Sequence, residues 1–495
     1  MLYGLGILTY IIIVICVGWF AKKKIKSAED YLVAGRALSL PLNSATLTAA
    51  FFGGFIIVGV PGAAYTLGIW NDEYTWGLIA GIGGPVMCLI LAGTFFMPKI
   101  WRMKLYSIAD YFFLRFGNIT GIWATIMLCG SFLLYGAVQI IVFAKVSSAI
   151  LDWSIVQGTL IAISVICIYT VLGGLLAVSL TDILQVSVLI ACVAFVLFGV
   201  TNLMGGWDAA VATIPSDRLQ FFPKAAAVAP WLAWIAAWLA SGFGSIPSPD
   251  LMQRAFSAKS AQTARRSAYT AAFIFLAVGI MVSILGFYGI SLVQNGTIPE
   301  AALQGDPELI VPVMVKALFP VAVVAIFLGA CLAAVMSTGA SCLLAISSML
   351  YQNVLRRVFF PHSGDQRMVL VTRITVLCIG VIVTIIALNF PYAYVLSVFA
   401  FDLTLSTLFV PLALGFFWKK SNGFGATCGI VAGAAVRIVG AGLVSGFTFE
   451  GITAVSEYWY YFTLGGPLAS LIFMVIGSLL TQKQHPAKEI ILPAE

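Results

Sequence analysis

The sequence predicts an all-α polytopic membrane protein of about thirteen transmembrane helices, and three observations predict it. Of 495 residues, 61% are hydrophobic and only 9% charged, with a mean hydropathy of +1.05, whereas a soluble domain has about 25% charged residues. Apolar runs of about 20 residues, enough to cross a bilayer, recur thirteen times. Two of these runs, five spans apart, are interrupted by glycine and proline at matching places, which predicts five-helix repeats related by an in-plane pseudo-two-fold axis.

The spans are centred near residues 11, 56, 86, 134, 165, 191, 240, 281, 335, 379, 404, 434 and 470. The first, LYGLGILTYIIIVICVGWF, exceeds a signal-peptide core and has no small-residue cleavage site after it, so it is expected to stay as a span. Between spans, the basic segments AKKKIK (21–26), PKIWRMK (98–104), QRAFSAKSAQTARR (253–266), LRR (355–357), WKKSN (418–422) and QKQHPAK (482–488) fall on one side. That side is cytoplasmic. The N-terminus is therefore expected outside and the C-terminus inside a plasma membrane. The net charge of +7 follows from these loops and calls for no nucleic-acid partner. The expected organisation is a first span and basic loop (1–26), a first repeat of spans 2–6 (27–201), an extracellular loop (202–229), a second repeat of spans 7–11 (230–420), and two peripheral spans with a tail (421–495).

Span 2 reads SATLTAAFFGGFIIVGVPGAAYTLGIW and span 7 reads AWIAAWLASGFGSIPSPDLMQR. Proline removes an amide donor and glycine loosens the helix, so both spans should unwind and free backbone carbonyls at mid-membrane depth. In span 9, AAVMST places the Ala334 carbonyl and the Ser337 and Thr338 hydroxyls on one helical face. Three uncharged oxygens suit a hard monovalent cation better than calcium or magnesium, which draw on carboxylates. Carbonyls near Ala49 and Phe52 would complete a sodium shell. The alternative is that both hydroxyls bond back to carbonyls four residues earlier.

AAVMST (333–338), GGLLAVSLTDILQ (173–185), SAEDYLVAGR (27–36) and GVPGAAYTLGI (59–69) resemble the sodium:solute symporter family in order and orientation over nearly the whole chain. The resemblance implies a LeuT-like core of five plus five helices and a sodium-coupled secondary active symporter that imports a small polar organic solute by alternating access. It also implies Ala49, Phe52, Ala334, Ser337 and Thr338 as the sodium set. Asp182 matches an acidic residue associated in the family with a second sodium site or the sodium exit route; a helix-cap carboxylate is the competing reading. In some relatives the second ion also meets ninth-span hydroxyls at positions that here read Ser337, Ala340 and Ser341. One oxygen has become a methyl, so a single sodium per solute is expected.

The segments LAAVMSTGASCLLAISSM, TRITV and VRIVG resemble the choline-transporting branch, but the seventh-span tryptophan of that branch is replaced by Ser248. The solute cavity is expected to be lined by Phe51, Phe55, Tyr135, Gln139, Trp238, Ser241 and Ser245. Asp250 is expected to pair with Arg254 at i, i+4, or to serve the exit of a cationic solute, and Asp402 with Arg437 as a buried structural pair. The nine cysteines lie in apolar runs without CxxC spacing and are read as packing residues. An enzyme is not expected: the two histidines, His362 and His485, lie in cytoplasmic segments, and no HExxH or GxSxG occurs. No cofactor is expected beyond sodium as coupling ion. The expected partners are sodium, a small-molecule solute and the lipid bilayer. A proton-coupled symporter of the same fold, and a transporter-derived sensor or channel, are the alternatives. A sensor would call for a signalling domain after the last span, where only a short tail follows.

Overall fold

A computed structural model describes residues 27–70, 76–224, 227–356, 365–390, 392–440, 442–443 and 459–488. The expected first span lies outside these residues, so the count of thirteen is not tested. Among the described residues, the long apolar helices are Ile79–Arg102, Asn118–Leu151, Val178–Leu203, Ala261–Gln294, Val321–Leu355, Val369–Asn389, Ala393–Phe417, Gly423–Gly440 and Trp459–Leu480. They coincide with spans 3, 4, 6 and 8–13. Shorter apolar helices, Ile155–Val171 and Val228–Gly242, stand at spans 5 and 7.

Span 2 is broken as its glycines predict: Leu40–Phe51 and Phe55–Thr66 meet at a bend of 58°. Both glycines of the break are required by close approach of span 4. A Cβ on Gly53 would lie 2.3 Å from the Gln139 side-chain oxygen, and one on Gly54 would lie 2.5 Å from a Val142 methyl. Span 7 breaks between Gly242 and Pro249, where the helix restarts with proline in its first turn, the position at which a missing N–H costs least.

Helical backbone continues over Ile155–Leu203. The Tyr169 and Thr181 hydroxyls nevertheless meet at 2.6 Å, although a straight helix would separate these residues by about 18 Å. The chain therefore turns sharply between Val171 and Val178, and spans 5 and 6 are two passes.

Polar caps set several helix starts on the membrane surface. Ser107 with Asp110 and Ser154 with Gln157 form capping boxes, and Asn422 caps span 12, each satisfying otherwise orphaned N–H groups. Span 9 packs between span 4 and the run of spans 5 and 6, span 8 covers both halves of span 2, and spans 12 and 13 pair with each other. In span 11, 89% of the apolar window is buried, against 28% in span 10. Spans 4, 9 and 11 thus form the centre, and span 10 presents Leu377, Val381 and Ile385 to the surrounding apolar phase. A β-bridge, Leu38 with Ala258, ties the segment entering span 2 to the one leaving span 7 on the expected cytoplasmic side.

Candidate functional site

The break in span 2 exposes backbone groups that the surrounding helices must satisfy, because a buried unpaired amide is costly. The freed N–H of Gly54 donates to Gln139 Oε1 at 2.8 Å, and Gln139 Nε2 donates to the Tyr135 carbonyl at 3.2 Å. Tyr135 donates its hydroxyl to the Ala50 carbonyl at 3.2 Å. In span 7, the Gly244 carbonyl accepts the Thr404 hydroxyl at 2.6 Å. Both breaks are held open by side chains from other spans.

Thr338 reaches this region from span 9. Its Oγ1 donates to the Ala49 carbonyl at 3.0 Å and to the Ala334 carbonyl, four residues earlier, at 3.1 Å; the second bond is the back-bond of the alternative reading, the first is not. Three of the five expected cation oxygens therefore converge where the first half of span 2 ends, in fully buried surroundings. Phe52 caps that half-helix, its N–H on the carbonyls of Thr48 and Ala49. Ser337 turns elsewhere: its hydroxyl donates to the carboxylate of Asp182. The proton is committed to Asp182, which leaves the oxygen lone pairs of Ser337 as acceptors.

Asp182, a few residues into span 6, is fully buried, and its carboxylate takes side-chain hydroxyls instead of the backbone N–H groups of a helix cap, which corrects the helix-cap reading. Its carboxylate also accepts the Thr46 hydroxyl. Arg254 is likewise fully buried. The expected pairing of Arg254 with the Asp250 carboxylate is corrected too. Arg254 Nη1 donates to the Asp250 backbone carbonyl at 3.1 Å, Asp250 Oδ1 accepts the Leu251 N–H at 2.7 Å, and the carboxylate within ion-pair range of Arg254 is Asp182, at 3.9 Å. The cause is local geometry. Asp250 sits in the first turn of the restarted helix and caps its own backbone, while Arg254 points across to spans 2, 6 and 9. Ser341 accepts from Arg254 Nη2 at 2.9 Å.

The expected cavity residues divide into two groups. Phe55 and Tyr135 are joined through Phe401 of span 11, with ring centroids 6.1 and 5.2 Å from it, and Phe55 stacks on Tyr394 at 5.4 Å. Tyr394 in turn lines a cavity of about 230 Å³ with Gly62, Trp76, Pro307 and Glu308. Gln139 and Ser245 are fully buried nearby, Ser245 on the unwound segment of span 7 with its hydroxyl unpartnered among the described residues. Phe51 instead packs edge-on against Phe275 of span 8. Trp238 lies over Gly83 and against Trp234, and Ser241 donates to the Ala80 carbonyl at 2.6 Å. Those three serve contacts with spans 3 and 8 and the helix before the break.

Two further clusters of paired charge stand on spans 11 and 4. Arg437 pairs with Asp402, which also accepts the Thr463 hydroxyl at 2.8 Å, as the sequence predicts. Lys145 meets Asp306 and Glu308 at 2.6 Å each, and Glu308 caps span 11 through the N–H groups of Ala393 and Tyr394.

A model of the sodium:solute symporter family matches residues 31–433. The chain belongs to the sodium:solute symporter family. The chain is similar to the osmoregulated proline transporter OpuE of Bacillus subtilis, 26% identical over 98% of this chain and 95% of its own length. The human high affinity choline transporter 1 is 28% identical over 88% of this chain and 76% of its own length. The Escherichia coli sodium/proline symporter is 26% identical over 87% and 86%. Among solved structures, a Na+-coupled sialic acid symporter superposes with a TM-score of 0.81 over 99% of both chains at 19% identity. Mhp1, a nucleobase-cation-symport-1 family transporter, gives 0.59 over 93% of this chain and 96% of its own at 14%. The fold is LeuT-like, and the chain is a multi-pass membrane transporter that couples solute movement to sodium, not an enzyme.

Proposed function

We propose that the chain imports a small polar organic solute together with one sodium ion, held by the carbonyls of Ala49, Phe52 and Ala334 and the hydroxyls of Ser337 and Thr338. The observation that carries this reading is the meeting of Thr338 Oγ1 with two main-chain carbonyls at the break of span 2. An ion arriving there takes the place of the hydrogen bond to Ala49: the Thr338 hydroxyl keeps its proton, rotates it away and turns a lone pair to the ion, as the carbonyls do. Ser337, its proton given to Asp182, offers lone pairs to the same ion. Each sodium ion entering across 100 mV contributes about 2.3 kcal/mol, and a concentration gradient adds to it.

The solute lies among Phe55, Tyr135, Phe401 and Ser245, beside the cavity that Tyr394 helps to line. The unpartnered hydroxyl of Ser245 suits a polar group, and the ring edges suit a compact carbon skeleton. Rocking of the broken spans 2 and 7 against spans 4 and 9 exposes the site alternately. The protein sits in the plasma membrane with its N-terminus outside and its C-terminus inside, and the repeats run over residues 27–201 and 230–420.

Thermal stability of the purified protein, screened against proline, choline, sialic acid and related small solutes with and without sodium, tests this function. A solute that binds only the folded state raises the transition temperature. The reading expects at least one solute shift that requires sodium. A shift equally large in potassium, and dependent on pH instead, supports proton coupling.

A further inference from the structure

On the expected cytoplasmic side, a cavity of about 810 Å³ lies between the starts of spans 4 and 12 and the tail that follows span 13. The two helix starts are stitched together there: Thr120 Oγ1 meets the Gly423 carbonyl at 2.9 Å and Thr427 Oγ1 at 2.8 Å. The tail is held beside them by Asn422, whose Nδ2 donates to Thr481 Oγ1 at 3.0 Å and to the His485 carbonyl at 2.8 Å. The His485 ring stacks on Phe424 with centroids 6.0 Å apart. Arg115, His485 and Lys488 line the cavity, and among the described residues that line it none is acidic. Arg115 is buried and set in place by its bonds to the Gly415 carbonyl at 3.0 Å and Ser421 Oγ at 2.7 Å. The exposed Lys488 brings its Nζ to within 3.9 Å of the place a Cβ on Gly117 would take, at the start of span 4. The rest of the lining leads into the bilayer. Ile119 is 69% exposed and Phe424 48%, and the exposed face continues at helical spacing through Ile122 and Ile126 on span 4 and Val431 on span 12. A soluble anion has no use for such a seam, whereas a lipid needs both a basic recess and an apolar track beside it.

We propose that this cavity binds the head group of one anionic phospholipid of the cytoplasmic leaflet, with its phosphate between Arg115 and Lys488 and its acyl chains along the exposed faces of spans 4 and 12. A phosphodiester offers several acceptor oxygens, which a guanidinium and an ammonium group can share. A zwitterionic lipid is disfavoured, because its own ammonium group would enter a recess that is already basic. The cytoplasmic leaflet is the one that carries anionic lipid. The bound lipid joins the helix Ile108–Phe116, which carries Arg115, to spans 4 and 12 and to the tail, and so clamps the peripheral spans to the transporting core.

Native mass spectrometry of the full chain, delipidated in neutral detergent and titrated with phosphatidylglycerol, phosphatidylcholine of the same acyl chains or glycerol 3-phosphate, tests this without knowledge of the solute. Phosphatidylglycerol is expected to bind at one saturable site, phosphatidylcholine about tenfold more weakly, and glycerol 3-phosphate not at all at the same concentrations. Lys488→Gln changes an exposed side chain and leaves the fold intact; it is expected to weaken phosphatidylglycerol binding about fivefold or more. Lys419→Gln removes an exposed lysine outside the cavity and is expected to change nothing. Equal binding of the two lipids overturns the proposal, as does an affinity for glycerol 3-phosphate equal to that for the lipid, which would make the cavity a site for a soluble phosphate. So does a Lys488→Gln protein that binds like the parent, or an equal loss in Lys419→Gln, which would mark diffuse surface charge.

Discussion

Gln139 Oε1 accepts the backbone N–H of Gly54 at 2.8 Å, a bond between spans 4 and 2 that holds the broken helix at its point of rupture. Leucine at position 139 removes the acceptor and leaves a buried amide unpaired, at a cost of about 1–3 kcal/mol. Gln139→Leu is expected to lower the thermal transition and to slow uptake. Gln139→Glu, which retains an acceptor, is expected to recover more uptake than the leucine variant. Equal loss in both would remove the capping role.

Gly244 is required by backbone crowding. A Cβ there would lie 2.1 Å from the Ala240 carbonyl and 2.2 Å from that of Phe401, atoms that no side-chain rotation relieves. Gly244→Ala is therefore expected to yield little folded protein. Gly130→Ala, where nothing lies within 4 Å, is expected to behave like the parent. Comparable yields by fluorescence-detected size exclusion would contradict this.

The Asp402–Arg437 pair is fully buried and joins spans 11 and 12. Removing one partner strands the other charge, so Asp402→Leu or Arg437→Leu alone is expected to destabilise by about 3–5 kcal/mol. The double replacement is expected to recover part of that loss. A double-mutant cycle on thermal stability checks the coupling, and additive losses would show the charges to be independent.

Topology follows from the charge bias of the loops. Cysteine labelling is expected to place Lys104, Arg265 and Lys483 in the cytoplasm and Asp208 and Glu300 outside. Labelling of Lys104 and Lys483 from opposite faces would overturn the assignment.

The fold class and both broken spans were legible in the sequence because glycine and proline act locally: Gly53–Gly54 and Pro247–Pro249 mark the ruptures wherever the helices pack. The convergence of Thr338 with Ala334 followed from helical spacing, and its approach to Ala49 from the need of a broken helix for partners. Arg254 was misread because i, i+4 spacing favours Asp250, whereas the proline-started helix lets Asp250 cap its own turn and sends Arg254 toward Asp182. Thr46, Thr404 and Phe401 carry no sequence signal, since a lone hydroxyl or ring in an apolar run has no pattern; what assigns them is the helix they face. The contacts of Phe51 with Phe275 and of Trp238 with Gly83 join distant spans and have no pattern in the sequence either.

The sodium dependence of uptake in a Ser337→Ala, Thr338→Ala double variant tests the central claim most directly. Two of the five proposed oxygens are lost, and each charge-assisted contact contributes about 1.5–3 kcal/mol. The sodium concentration for half-maximal uptake is expected to rise by about tenfold or more, with uptake partly restored at high sodium. A half-saturation equal to that of the parent, in a variant that folds and transports, would show that the ion binds elsewhere.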